Sequence, residues 1–134
     1  MIPRLYLDIF YPLVKDLSIQ RALILMGPRR VGKTVMLYHS IQRLIDEGVS
    51  PQNIIYVSVE TPIYNGILLE QLFHLAKQVL GKEDSREQFY VFFDEIQYLK
   101  DWEIDLKSLV DTYHDVKFVA SGSAAAALKK SSNE

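Results

Sequence analysis

Residues 27–34 of the chain read Gly27-Pro28-Arg29-Arg30-Val31-Gly32-Lys33-Thr34. They match G-x-x-x-x-G-K-[ST], the phosphate-binding loop known as the P-loop or Walker A motif. Gly27 and Gly32 permit backbone angles that a side chain would forbid, and they let a phosphate approach the main chain closely. Lys33 can reach the β- and γ-phosphates of a nucleotide, and the Thr34 hydroxyl can bind Mg²⁺. We therefore predict that this loop binds the phosphates of a nucleotide.

The segments on both sides of the loop support the match. Residues 22–26, Ala-Leu-Ile-Leu-Met, form an apolar run that is typical of a buried parallel strand. After the loop, apolar residues recur at helical spacing and predict a helix over residues 32–47 that ends at Gly48. A strand, a glycine-containing loop and a helix in this order are what the motif requires. The alternative, a chance match in a surface turn, does not explain both flanks.

Length and composition bound the class of protein. The chain has 134 residues, of which 49% are hydrophobic, so it can form one domain with a packed core. Its formal net charge of −2 gives no general attraction to nucleic acid or to an anionic membrane. It contains no cysteine, which excludes disulfides and thiolate metal sites and favours the cytoplasm. We find neither an apolar run as long as a membrane span, about 20 residues, nor a signal-peptide pattern at the start.

The rest of the chain alternates between predicted strands and helices. Three more apolar runs predict strands at residues 54–59, 89–93 and 116–120. Apolar residues at helical spacing predict a helix over residues 67–80 and another that begins after Asp101, which we expect to act as its N-cap. Strands that alternate with helices of this length imply a parallel sheet, so the predicted fold class is α/β.

The segment before the first strand is apolar and aromatic. We predict a short helix near residues 4–10, because Pro12 is expected to limit it. Its expected role is to cover the sheet. Since the segment precedes the P-loop strand directly, contact with a nucleotide base is the alternative.

Two acids follow the apolar run at residues 89–93. In P-loop proteins, acids at the carboxyl end of a strand beside the P-loop strand form the Walker B element. Asp94 would hold Mg²⁺, and Glu95 would polarise the attacking water. A glutamate directly after the metal-linked aspartate favours hydrolysis over transfer of phosphate to a substrate. The alternative is an ordinary pair of acids that caps the next helix.

Two serines form a third, weaker element. Ser121 and Ser123 follow the predicted strand at residues 116–120, which places them at the same edge of the sheet as the acids. A hydroxyl group there can contact the γ-phosphate or the nucleophilic water. Serines are also common after strands for reasons of turn chemistry alone.

Taken together, these elements resemble those of the AAA-type ATPases. More narrowly, they are similar to a group of prokaryotic ATPases in which an AAA-like core is followed by a C-terminal domain of uncharacterised function. The segments that carry the resemblance are the P-loop at residues 27–34, Asp94-Glu95-Ile96-Gln97 with Trp102-Glu103, and Ala120-Ser121-Gly122-Ser123-Ala124. The resemblance covers essentially the whole chain.

The resemblance implies a role for each matching residue. Lys33 would contact phosphate, while Thr34 and Asp94 would bind Mg²⁺. Glu95 would be the catalytic base. The residue called sensor 1 would fall at Ser121 or Ser123, with Ser121 preferred.

The resemblance also implies a three-layer P-loop sandwich whose full sheet has the strand order 5-1-4-3-2. The fifth strand, an arginine finger and the sensor 2 region of such cores would follow Glu134. We therefore expect residues 1–134 to form a single, incomplete domain of order 1-4-3-2 with slow turnover. The missing C-terminal part of the same protein would be its partner. The strand at residues 22–26 would become a sheet edge, through which the chain is expected to self-associate.

The function predicted is binding and hydrolysis of Mg-ATP, with the coupled work unassigned. ATP is favoured over GTP because the chain has no Asn-Lys-x-Asp segment of the kind that reads guanine. Two alternatives stay open. One is a nucleotide-gated signalling or interaction module with little turnover, and the other is a small-molecule kinase.

Overall fold

The structure is a computed structural model that describes residues 4–18, 20–27, 32–60, 66–82 and 87–123, with side chains from Asp8 onward. In chain order, the helices and strands within these ranges are α1 (Arg4–Lys15), β1 (Leu23–Gly27), α2 (Lys33–Asp46), β2 (Ile54–Ser58), α3 (Leu69–Val79), β3 (Phe89–Asp94), α4 (Trp102–Thr112) and β4 (Val116–Ser123). Two short 3₁₀ helices, Pro51–Asn53 and Ile96–Tyr98, precede β2 and follow β3. The predicted helices and strands that fall within these ranges are therefore all found. A helix start expected in the alanine-rich segment after Ser123 lies outside the described residues.

The four strands form one parallel sheet in the order β1-β4-β3-β2. This confirms the predicted α/β class and the predicted strand order. Because all strands run the same way, the carboxyl ends of β1, β4 and β3 lie side by side at one edge of the sheet. The P-loop and the Asp94-Glu95 pair both follow strands that end at this edge.

Helices cover both faces of the sheet, which gives the predicted three layers. Strand β3 shows that both faces are covered. All six of its residues are buried, and successive side chains point to opposite faces of the sheet. Phe89, Val91 and Phe93 pack in the core beneath α3 and α4. Tyr90 and Phe92 pack in a second core beneath α1 and α2.

Helix α1 is longer than predicted. The expected end near Phe10 is wrong, because the helix continues to Lys15 with Pro12 inside it. Proline removes one backbone hydrogen bond and costs a helix interior about 3 kcal/mol. Burial of Phe10, Tyr11 and Val14 against α2 and the sheet offsets that cost. The expected covering role of this helix is confirmed.

Strand β4 is also longer than predicted. The apolar run alone predicts an end at Ala120, whereas the strand continues through Ser121, Gly122 and Ser123. These three residues pair in register with the end of β1. This pairing holds them in the strand, although serine and glycine have little preference for strands by themselves. The prediction that the two serines lie beyond the strand is wrong.

Helix α4 begins after Asp101, as predicted, but the Asp101 side chain makes no capping hydrogen bond. Its backbone is left-handed, with φ of 58° and ψ of 28°, and its carbonyl accepts the first helical bond from Asp105 at 3.1 Å. The prediction of Asp101 as the N-cap is therefore confirmed, although its backbone caps the helix and its side chain does not.

β1 lies at one end of the sheet formed by the described residues. Two of its apolar side chains are partly open to solvent, Ile24 at 44% and Met26 at 36% of full exposure. A groove of about 460 Å³ runs between this strand and α1, and another of about 320 Å³ runs between it and α4. None of the helices in the described part of the chain is long and apolar enough to cross a membrane.

Candidate functional site

The candidate site lies where β1, β3 and β4 end and α2 begins. The register of the sheet pairs Gly27 with Ser123 and Phe93 with Ala120. Asp94, the residue after Phe93, therefore comes next to Ser121. This brings together residues that are far apart in the sequence.

The two ends of the P-loop are described, while Pro28, Arg29, Arg30 and Val31 lie outside the described residues, so their predicted contacts with phosphate stay predictions. Gly32 has a left-handed backbone, with φ of 78° and ψ of 27°, which favours glycine. Lys33 opens α2, and its Nζ donates a hydrogen bond to the carbonyl of Gly27 at 2.9 Å. The lysine thus spans the loop from one end to the other.

Asp94 is buried at the end of β3, with 2% of its surface exposed. The Thr34 hydroxyl donates to its Oδ2 at 2.7 Å, and the Tyr56 hydroxyl donates to the same oxygen at 2.5 Å. The Ser121 hydroxyl donates to its Oδ1. A buried carboxylate is costly unless it is hydrogen-bonded, and here three hydroxyl groups on three different elements stabilise it.

Tyr56 is a member of this cluster that sequence reasoning missed. Along β2, its side chain lies on the opposite face from Ile55 and Val57, and its ring centroid lies 5.0 Å from that of Tyr38 on α2. Burial, followed by the hydrogen bond to Asp94, raises the pKa of Tyr56 well above its usual range, so the hydroxyl keeps its proton and donates at neutral pH. The signal in the sequence was a polar tip on an otherwise apolar strand, and the register between β2 and β3 places that tip beside Asp94.

Glu95 follows β3 directly and has a left-handed backbone, with φ of 59° and ψ of 46°. This conformation is uncommon for a residue with a side chain. The Glu95 N–H donates to the Ser121 hydroxyl at 3.3 Å. Its side-chain Oε2 accepts a hydrogen bond of 2.6 Å from Nε2 of Gln97. Gln97 belongs to one of the segments that carry the family resemblance, but its sequence position and residue type predict no role for it.

The structure distinguishes the two serines by what they contact. Ser121 is fully buried and bridges Asp94 and Glu95 through its hydroxyl. Ser123 is also buried, and its backbone N–H donates to Oε1 of Gln97 at 3.1 Å. Both therefore lie at the site, and Ser121 is bonded to both acids. The role of either as sensor 1 stays a prediction.

The oxygen atoms of Thr34 and Asp94 fit a hard divalent cation in type. Within the described residues, no group of three or more His, Cys, Asp or Glu side chains could hold a metal ion. In nucleotide sites, Mg²⁺ is usually bound by one or two carboxylates together with phosphate oxygens and water, and it rarely has an all-protein cage. The Thr34–Asp94 pair is compatible with that arrangement.

Comparisons with known proteins agree with this geometry. A family model described as an AAA domain matches residues 19–134. An uncharacterised protein of Methanocaldococcus jannaschii is 31% identical over 112 residues, which are 81% of this chain and 23% of that protein. An uncharacterised protein of Haemophilus influenzae is 29% identical over 104 residues, which are 76% of this chain and 25% of that protein. The chain thus spans about a quarter of the length of these two relatives.

Proposed function

The chain belongs to the AAA domain family, and on that premise we propose that it binds Mg-ATP and hydrolyses it. The observation that carries the proposal is the hydrogen bond of 2.7 Å between Thr34 and Asp94, which are 60 residues apart. It joins the start of the P-loop helix to the acid at the end of β3. A phosphate-binding loop and a carboxylate at this distance are the two parts that a Mg-nucleotide site needs.

Four residues of the site have a direct role in the proposal. Lys33, which lies across the loop, would exchange its bond to the Gly27 carbonyl for the β- and γ-phosphates. Thr34 and Asp94 would hold Mg²⁺, which stabilises charge on the phosphate oxygens. Glu95 would accept the proton of the attacking water.

The proposal extends to the protein's surroundings. Because the two relatives are about four times as long as the matched segment, we propose that other segments of a longer protein contribute to its activity. An arginine finger can raise the hydrolysis rate of P-loop enzymes by about 10³–10⁵, so we expect slow hydrolysis by residues 1–134 alone. The cytoplasm is the proposed location.

A binding experiment tests the nucleotide site. Lys33→Ala should weaken Mg-ATP binding by about 10- to 100-fold in calorimetry, because a charged hydrogen-bond donor contributes about 1.5–3 kcal/mol. Lys107→Ala is the matched control, since Lys107 is exposed on α4. Unchanged ATP binding by a folded Lys33→Ala variant would refute the phosphate-binding role.

A single-turnover experiment with ATP labelled at the γ-phosphate tests the reaction. Release of labelled inorganic phosphate is the expected result. Retention of intact ATP would favour the interaction module, and label on an added acceptor would favour a kinase.

A further inference from the structure

Gln97 is a buried polar residue with two well-defined partners. Only 3% of its surface is exposed. Its Nε2 donates to Oε2 of Glu95 at 2.6 Å, and its Oε1 accepts from the backbone N–H of Ser123 at 3.1 Å. The side chain therefore connects the proposed base to the last residue of β4.

The chemistry of the two partners explains why an amide is required. A carboxylate oxygen can only accept a hydrogen bond, whereas a backbone N–H can only donate one. The connecting group must therefore donate at one end and accept at the other. Glutamate at position 97 would keep the acceptor for Ser123 but would face Glu95 with a second negative charge. Leucine would provide neither bond.

Gly122 gives the amide its space. A Cβ atom at position 122 would lie 2.9 Å from Oε1 of Gln97 and 3.0 Å from Sδ of Met26. Both atoms are near the ends of flexible side chains, so alanine at this position would push them aside without breaking the strand. The absence of a side chain at Gly122 is what lets the Gln97 amide lie against the end of β4.

We propose that Gln97 is a positioning residue that fixes the carboxylate of Glu95 for the attacking water and links its orientation to the end of β4. With Oε2 held by the amide, Oε1 is the oxygen that accepts the proton of the water. The Ser121 hydroxyl, bonded to the Glu95 N–H, fixes the backbone of the same residue. This inference rests on the proposed ATP hydrolysis, and it adds a residue to which the motifs assign no role.

Turnover measured alongside binding tests the inference. Gln97→Glu and Gln97→Leu should each lower kcat by about 10- to 100-fold, because a misplaced catalytic group is costly in rate. The Kd for Mg-ATP should change by no more than about twofold, since within the described residues the hydrogen bonds of Gln97 go to Glu95 and Ser123. Gly122→Ala should also lower kcat, because its Cβ would displace the Gln97 amide. Gln42→Glu is the matched control, because the Gln42 amide also bonds a carboxylate, that of Asp46, but on the exposed side of α2.

Wild-type kcat in both Gln97 variants, or a loss of binding that parallels the loss of kcat, would overturn the positioning role. If the wild-type chain itself released no phosphate, the proposed function would fail instead, and the contact would be decided by NMR. The side-chain amide signal of Gln97, assigned by its absence in Gln97→Leu, should move in Glu95→Ala and stay in place in Glu103→Ala, which changes an exposed acid of α4. A Gln97 amide signal whose chemical shift does not change in Glu95→Ala would overturn the inference.

Discussion

At the scale of single residues, the candidate site is a cluster of hydroxyl groups around one carboxylate. Asp94 accepts hydrogen bonds from Thr34, Tyr56 and Ser121, which belong to α2, β2 and β4. The motifs predicted where Asp94 and Thr34 would meet, because strand ends and a loop pattern fix both. They could not predict Tyr56, since its place beside Asp94 depends on the register between β2 and β3, which the predicted strand order does not fix.

The two acids should respond differently to loss of charge. Glu95→Gln should keep Mg-ATP binding and lose turnover, because an amide cannot accept a proton from water. Asp94→Asn should weaken the dependence of ATP binding on Mg²⁺. Calorimetry at several Mg²⁺ concentrations and phosphate release measure the two effects. Equal loss of binding in both variants would mean that the roles are misassigned.

Tyr56→Phe should weaken the apparent affinity for Mg²⁺ in the presence of ATP by up to about tenfold. The physical reason is that partners which orient a metal-binding carboxylate contribute about 10- to 100-fold to metal affinity, and here two other donors remain. Tyr113→Phe is the control, because its hydroxyl group bonds His74 at 3.1 Å on the surface. Equal Mg²⁺ affinity in the two variants would contradict the orienting role of Tyr56.

At the scale of the elements, the apolar patterns predicted every described strand and most helix ends to within a few residues. The errors lie where tertiary contacts outweigh local preference. α1 continues past Pro12 because its apolar face is buried, and β4 continues through Gly122 because β1 pairs with it. Neither contact can be read from the local sequence.

The exposed edge of β1 should drive association of the chain. Ile24 and Met26 lie partly open, and among the described strands β1 pairs with β4 alone, so its other edge is a template for another strand. Ile24→Lys should lower the sedimentation coefficient at concentrations where the wild-type chain associates, because a charge opposes strand pairing. The control is Val79→Lys, which adds the same charge at a residue 79% exposed on α3. A wild-type chain that stays monomeric over the whole concentration range would refute this prediction.

At the scale of the whole molecule, tyrosines on both faces of the sheet have pKa values above the ordinary value for tyrosine. Burial raises the pKa of Tyr11 to about 12, with the nearby carboxylate of Glu47 as a smaller cause. Burial also raises the pKa values of Tyr56, Tyr90 and Tyr113 above 10.0. The folded state therefore prefers all four protonated, whereas the unfolded chain loses these protons near pH 10.

The melting temperature should consequently fall steeply from pH 10 to pH 12. A raised folded-state pKa contributes stability below the unfolded value, and that contribution is lost as the pH rises through the folded one. Burial lowers the pKa of Lys117, so the titration of this lysine makes the folded state more stable as the pH rises. That effect is confined to pH values below its ordinary pKa of 10.5.

Tyr11→Phe should make this fall shallower. It should also leave stability at pH 7 nearly unchanged, because the buried Tyr11 hydroxyl has no well-formed hydrogen bond among the described contacts, although the Glu47 carboxylate lies near it. Thermal melts of this variant and of Tyr98→Phe, a tyrosine 42% exposed, measure the difference. If the melting temperatures of the two variants depended on pH in the same way, Tyr11 would not be a cause of the fall.

The left-handed backbone at Glu95 sets stability and turnover against each other. A residue with a side chain adopts that conformation at a cost of about 1–2 kcal/mol, which glycine avoids. A library of this chain sorted only for heat resistance should therefore enrich glycine at position 95, and the survivors would lack the proposed base. Engineers who want a more durable enzyme from this chain would need to hold that position constant and look for stability elsewhere.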